Sequence, residues 1–543
     1  MRFIKVFACL LIVYTQVLMA ADVRPPDSTI MIPMRDGTQL PTDIYLPKDS
    51  LATTPSPCVL MRSPGGKKTD SAVVFTYLTQ FGYVVAIQDT RNALDPEGKT
   101  MPYWNDGWGE QQDGYDTVEW LAKSPYSNGK IGTVGTSALG ITQLLMAPTA
   151  PPALKCQYIG MAASSMYHDA AYPGGQLLKN QVEGWLGLHA KDPSLLARVC
   201  SQPIYNAFWE NFDSAKVVSR VKVPGIIYGG WYDTFLQGTI NAYVSRQENG
   251  GEGAKGKQKL LIGPWTHFWP LSMKIGDFDI PKQGQLPPVD MSPQRWLDFY
   301  LKGIRNGIDA VPNVTYYVMG PLDGSPSSGN VWRSSDRWPI EATDTSFYLT
   351  SDRILAEKPV NQGKGLFSYQ NDPSNPVPTI GGRNLFLESG AKDQRPIEQR
   401  SDMIVFTSAP LTEDLEVTGH VLAKLMFASD KQQADVVVRL CDVYPDGRSI
   451  LIADGASHVK VTTPDQPQQV SVDLWSTSQV FAKGHSIRVS VSSSNYPRYE
   501  KCSNSDAGPV IAKNTLHVGG GDTSSQLILP LVRRGDLLLN KQK

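Results

Sequence analysis

Histidine and cysteine are scarce in this chain, with 7 and 6 residues among 543. None of them forms a His-x-x-x-His or Cys-x-x-Cys pair, the spacings that put ligands on one helix face or one turn. No metal is therefore signalled, and no organic cofactor is expected. Charge of one sign is also missing: 51 Lys and Arg offset 52 Asp and Glu, for a formal net charge of -1. No basic run extends beyond Lys67-Lys68, so neither nucleic acid nor an anionic membrane surface is an expected partner.

The apolar stretch from Val6 to Tyr14 is too short to span a bilayer. Arg2 and Lys5 precede it and Ala20-Ala21 follow, which reads as a secretory signal peptide over residues 1–21. The expectation is a secreted or periplasmic protein with no stable membrane association after cleavage. Cys58, Cys156, Cys200, Cys441 and Cys502 remain. They form no disulfide scaffold, although one bridge is allowed in an oxidising compartment, with Cys156 and Cys200 the nearest pair in sequence.

What the chain does have is alternation. Short apolar runs at "CVLMRS" (58–63), "GYVVAIQDT" (82–90), "KIGTVGT" (130–136), "QYIGMAA" (157–163), "PGIIYGG" (224–230) and "KLLIGP" (259–264) alternate with helical stretches. That pattern predicts a largely parallel sheet covered on both faces. Between Ser164 and about Arg220 the sequence turns aromatic-rich and helix-like, which predicts a helical cap. After Trp338 strand-like segments dominate, among them "ADVVVRLCDVYPDG" and "SIRVSVSSS", and predict an all-β jelly roll. The expected parts are an α/β core over 22–163 and 223–340, a cap over 164–222 and a jelly roll over 341–543.

Within this frame "GTVGTSALG" (132–140) sets Ser137 among glycines at a strand end. A Ser capping the following helix would suit this stretch alone; a nucleophile elbow is the reading with chemical content. Two later strand ends carry "GWYDTF", with Asp233, and "GPWTHFW", with His267. In an open parallel sheet such ends share one edge, and the order Ser, Asp, His is that of an α/β-hydrolase. The types are the ones acyl transfer needs. A neutral imidazole accepts the proton of a poorly nucleophilic hydroxyl, and a carboxylate fixes the imidazole tautomer.

The third glycine follows Ser137 by three positions, so the common G-x-S-x-G spacing is not met. G-x-S-x-x-G, with "QDTR" (88–91), "EG" (97–98), "GGWYD" (229–233) and "GPWTH" (263–267), resembles the cocaine-esterase and X-Pro dipeptidyl-peptidase family of serine hydrolases. "MRDGTQLPTDIYLP" (34–47) is similar to the family's opening strands, and "DPSNPVPTIGG" (372–382), "YPDGR" (444–448) and "SSSNYPRYE" (492–500) to its jelly roll. The resemblance implies a tyrosine in a stretch like R-x-P-Y, its hydroxyl helping to bind the oxyanion. Here "RSPGG" places Gly65 at that position. Losing one such donor typically costs roughly a hundred- to a thousand-fold in rate. The expected donors are the Ala138 N–H and an N–H turned inward at Gly65 or Gly66; an ordinary Pro-Gly turn with weaker catalysis is the open alternative.

Relatives that act on α-amino acid esters resemble one another in carrying acidic residues soon after the triad aspartate. This chain has Thr234, Phe235, Leu236 and Gln237 there, which points to an apolar acyl group. Phe235 and Trp231 are candidate pocket residues, with Tyr172, Trp185 and Phe208 as candidates from the cap. The expectation is a secreted serine hydrolase cleaving an ester or amide through an acyl-enzyme, carboxylic esters favoured. An X-Pro dipeptidyl-peptidase or acylase acting on amides stays open. So does a catalytically weak secreted binding protein that uses its jelly roll. The partner is a small-molecule substrate, and homo-oligomerisation is left open.

Overall fold

Strands β1 (Ser28–Pro33) and β2 (Gln39–Tyr45) form an antiparallel pair, and β2 runs antiparallel to β4 (Val84–Asp89) at the edge of a ten-stranded sheet. From β4 the sheet continues through β3 (Ser56–Ser63), β5 (Ser127–Thr136), β6 (Leu154–Gly160), β7 (Gly225–Tyr232), β8 (Gln258–Thr266) and β9 (Val314–Val318), every pair parallel. Antiparallel β10 (Val331–Ser335) closes the other edge. This is a computed structural model, and it describes residues 24–47, 55–190, 192–359, 364–519 and 524–532. The expected signal peptide lies outside the described residues.

The continuous apolar runs read from the sequence are strands buried on both faces, as a covered parallel sheet requires. All six residues of β4 and all eight of β7 are buried. Helix α1 (Asp113–Ala122) is the crossover into β5, α2 (Ala138–Met146) follows β5, and α5 (Leu236–Asn249) joins β7 to β8. Between β6 and β7 lie short helical segments, among them α3 (Lys179–His189) and α4 (Ser194–Cys200). They form a cap whose aromatic residues, such as Tyr167, Tyr172 and Trp209, pack on one another as well as on the sheet.

The C-terminal part is a sandwich of a seven-stranded and a four-stranded sheet around its own apolar core. Its long strands are β11 (Leu415–Ser429), β12 (Gln433–Val443), β13 (Ser449–Lys460), β14 (Gln468–Phe481) and β15 (Ser486–Ser492). The disulfide that the sequence allowed is not formed. Cys156 is buried in β6, Cys200 is exposed at the end of α4, and both are free thiols. Among the described residues no helix is long and apolar enough to cross a membrane.

Candidate active site

Ser137 sits between β5 and α2 with φ 60° and ψ -125°, a conformation that L-residues rarely adopt. The flanking glycines make this turn fit. A Cβ on Gly135 would stand 2.5 Å from the Cβ of Leu139, and one on Gly140 would stand 2.9 Å from the Gly160 carbonyl oxygen and 2.8 Å from the Ala162 Cβ. Gly140 therefore lets the first turn of α2 rest on β6, which explains why the third glycine follows the serine by three positions. Position 139, where the commoner motif has glycine, holds a buried leucine.

Asp233 lies just beyond β7, fully buried, and Phe235 N–H donates to its Oδ1 at 2.8 Å. Its Oδ2 stands 2.5 Å from His267 Nδ1, and His267 Nε2 stands 2.9 Å from Ser137 Oγ. Two tryptophans fix the turn that carries the histidine. Trp265 and Trp269 stack at 3.8 Å with rings 10° apart, and their indole N–H groups donate to the carbonyls of Gly284 and Gln285. Under the serine, the Tyr228 hydroxyl is bonded to Thr136 Oγ1, and burial pushes the phenol up to about 12. It acts there as a neutral prop.

The expected oxyanion elements lie apart in their commitments. Ala138 opens α2, where a first-turn N–H has no acceptor within the helix. Gly66 N–H donates to the Ser63 carbonyl at 3.2 Å, so that amide is engaged in a turn. Gly65 N–H has no protein acceptor among the described residues. The loop is anchored from "QDTR": Arg91 binds Asp113 at 2.7 Å, and Asn92 donates to the Pro64 carbonyl at 2.8 Å. Position 65 is also crowded, since a Cβ there would meet the His189 ring carbon Cε1 at 3.0 Å and that ring would have to yield. Burial lowers the pKa of that imidazole and favours its neutral form. A histidine from the cap thus fills the space beside residue 65.

A cavity opens at Ser137 and Ala138. Of the expected pocket residues, Phe235, Trp185 and Phe208 line it. Phe235 also meets the His267 ring edge-on, with centroids 5.6 Å apart. Trp231 and Tyr172 do not line it. Trp231 is 1% exposed and donates its indole N–H to the Tyr317 carbonyl, because its strand position faces the core under the site. Tyr172 stacks on Tyr167 and donates to the Val199 carbonyl, holding the cap together from inside.

Sequence reasoning missed other walls. Met101 and Tyr103 come from the loop before α1, Gln181 from α3, and Leu385 from the segment leading into the sandwich. Tyr103 takes φ 68° and stacks on Trp185 at 5.3 Å. No periodicity marks such loop residues. Among the described residues no aspartate or glutamate lines the cavity. Thr234, where an acidic residue would serve an ammonium group, donates instead to Gln181.

A parallel sheet with a helical cap and with Ser, His and Asp at its carboxyl edge is the arrangement of an α/β-hydrolase. The sequence profile of the X-Pro dipeptidyl-peptidase (S15 family) matches residues 36–200 and 186–269, and that of the X-Pro dipeptidyl-peptidase C-terminal non-catalytic domain matches 306–527. The chain is 29% identical to the cocaine esterase of Rhodococcus sp. (strain MB1 Bresler), over 93% of this chain and 98% of that protein. Two solved structures share the fold. An aminopeptidase from a marine sediment Thaumarchaeota archaeon superposes with TM-score 0.81 at 22% identity, covering 95% of this chain and 98% of that one. An alpha-amino acid ester hydrolase gives 0.78 at 24%, covering 94% and 98%. The chain belongs to the cocaine-esterase and X-Pro dipeptidyl-peptidase family, and it is a serine hydrolase.

Proposed function

We propose that the protein is a secreted carboxylic ester hydrolase in which Ser137 is the nucleophile, His267 the general base and acid, and Asp233 the orienting carboxylate. One observation carries the reading: the hydrogen-bonded line from Asp233 Oδ2 through His267 to Ser137 Oγ, at 2.5 and 2.9 Å. Ser137 Oγ attacks the acyl carbon as its proton passes to His267 Nε2, and the carbonyl electron pair moves onto oxygen. Asp233 stabilises the imidazolium that results. The N–H groups of Ala138 and Gly65 face the oxyanion. Collapse of the tetrahedral adduct expels an alcohol, which takes the proton from Nε2. Water then repeats the sequence on the acyl-enzyme and frees the acid.

The wall of the cavity selects the acyl group. Phe235, Trp185 and Phe208 offer apolar surface, and among the described residues lining it there is no carboxylate to hold an ammonium group. An ester with an uncharged, apolar acyl chain fits better than an α-amino acid ester or a peptide with a free N-terminus. Export to the periplasm or medium rests on residues 1–21.

A fluorophosphonate probe tests the reading. Labelling that maps to Ser137 and is lost in Ser137→Ala supports it, and folded protein that takes no label favours a binding role instead. Acyl esters run beside X-Pro anilides set the substrate class: faster turnover of the anilides would move the protein to the dipeptidyl-peptidases.

A further inference from the structure

Away from the cavity, where the cap meets the sandwich, three side chains of metal-ligating type converge. Asp435 on β12 and His458 on β13 are register partners, with His458 Nδ1 2.7 Å from Asp435 Oδ1. Cys502, from the loop after β15, brings its sulfur to the pair, and all three ligand atoms lie within 4.8 Å of one another. Asp435 is 2% exposed and Cys502 7%. The His458 side chain is 39% exposed, which gives an ion a way in.

A fourth group comes from the cap. The Gln176 side-chain N–H donates to the Asp435 carboxylate, so turning the amide over would present its oxygen to the cluster. Gln176 is 4% exposed, and its Oε1 has no hydrogen-bond partner among the described residues. A buried amide oxygen left without a donor is destabilising, so it calls for an explanation. The turn that presents it is docked by backbone. At Gly174, with φ 64°, a Cβ would fall 1.9 Å from the Ala456 carbonyl oxygen on β13, and Gly175 approaches His458. The four groups are thus held on two structural units pressed together.

We infer that Asp435, His458, Cys502 and the Gln176 amide oxygen form a site for one divalent d-block cation, Zn²⁺ foremost, which pins the cap to the sandwich. A carboxylate, an imidazole and a thiol make the mixed oxygen, nitrogen and sulfur set that suits Zn²⁺. Tetrahedral coordination needs donor atoms about 3.5 Å apart, which small side-chain rotations supply from the observed spacing. On binding, the Cys502 thiol releases its proton to solvent. The imidazole coordinates through Nδ1 and keeps a proton on the solvent-facing Nε2. The metal bridges the cap, which roofs the active-site cavity, and the sandwich, at a place away from the cavity, so its effect falls on cap docking rather than on acyl transfer.

The test uses the full chain, stripped with chelator and titrated with Zn²⁺ alone, then with Co²⁺ as a spectroscopic stand-in. The expected result is one Zn²⁺ per chain, a rise in Tm, and a cobalt–thiolate charge-transfer band. His458→Ala, at a half-exposed position that leaves the core intact, should weaken binding by at least about tenfold, the lower end of what losing even an outer partner costs. Cys502→Ser should remove the band. Binding that is equally tight in His458→Ala, or Co²⁺ bound without the band in the unaltered chain, overturns the inference.

Discussion

The Gly160 carbonyl oxygen and Gly140 lie in backbone contact, with only 2.9 Å between that oxygen and the place a Cβ on Gly140 would take. This contact seats the first turn of α2 on β6 and so aims Ser137 at His267. Gly140→Ala should push the helix off the sheet. Overpacking of this kind typically costs about 1–3 kcal/mol. Thermal denaturation should show that loss, and kcat should fall further than stability alone explains, because the displaced hydroxyl loses its imidazole.

Asp233→Asn separates charge from geometry. Phe235 N–H already donates to Oδ1, so the new amide keeps its oxygen there and turns its NH₂ toward His267 Nδ1. The imidazole proton is then forced onto Nε2, where it blocks proton transfer from Ser137. A carboxylate-to-amide change of this type lowers kcat by about 10⁴ in another serine hydrolase. A drop near that size, with Tm and KM little changed, is the expected result of steady-state kinetics and melting.

Acyl chain length should be read by the cavity. Each methylene buried against Phe235 and Trp185 contributes about 0.8 kcal/mol, or roughly fourfold in kcat/KM, until the space is filled. A series of nitrophenyl esters measures this slope. Esters with a free α-ammonium group should be poor substrates, and a preference for them would contradict an uncharged acyl site.

The Asp95 loop gives an acid-sensitive element beside the cavity. Its carboxylate accepts hydrogen bonds from the Thr100 hydroxyl and from the N–H groups of Glu97, Thr100 and Lys99, and this lowers its pKa from 3.8 to about 2. Because the folded value is the lower one, the stabilisation is complete above the unfolded value near 4 and is lost as pH falls toward 2. Tm measured against pH should show the unaltered chain exceeding Asp95→Asn at neutral pH, with the two curves meeting near pH 2. Met101 and Tyr103 follow this loop and line the cavity, so Asp95→Asn should also raise KM.

A trapped phosphonate on Ser137 addresses the oxyanion. Its oxygen is expected within about 3.1 Å of both the Ala138 and Gly65 nitrogens, the reach of a hydrogen bond. A structure of the adduct in which Gly65 stands clear of that oxygen removes the second donor.

Much of the candidate site was legible because it is local. A glycine-flanked serine after an apolar run, and an aspartate and a histidine each just past another, are strand-end signals that a parallel sheet gathers on one edge. Trp231 shows where such reasoning stops. It lies two residues from Asp233, a spacing that plain alternation would put on the same face, yet the strand ends at Tyr232 and its register shifts between Gly230 and Tyr232, and the ring is buried against the Tyr317 carbonyl. Tyr172 went the same way for a different reason: its hydroxyl satisfies a carbonyl inside the cap. Aromatic character alone does not tell a cavity wall from a core.

By itself the sequence determined the order of strands and helices, the serine turn and the three groups that could share a proton, since each follows from periodicity or a backbone preference a few residues long. Only the tertiary structure decided what surrounds them. Tyr103, Gln181 and Leu385 reach one cavity from a loop, a cap helix and the lead into the sandwich, and His189 packs where residue 65 has no side chain. Asp435, His458 and Cys502 meet without any motif spacing. Such encounters depend on shape fit between distant segments, and no local rule of composition encodes that.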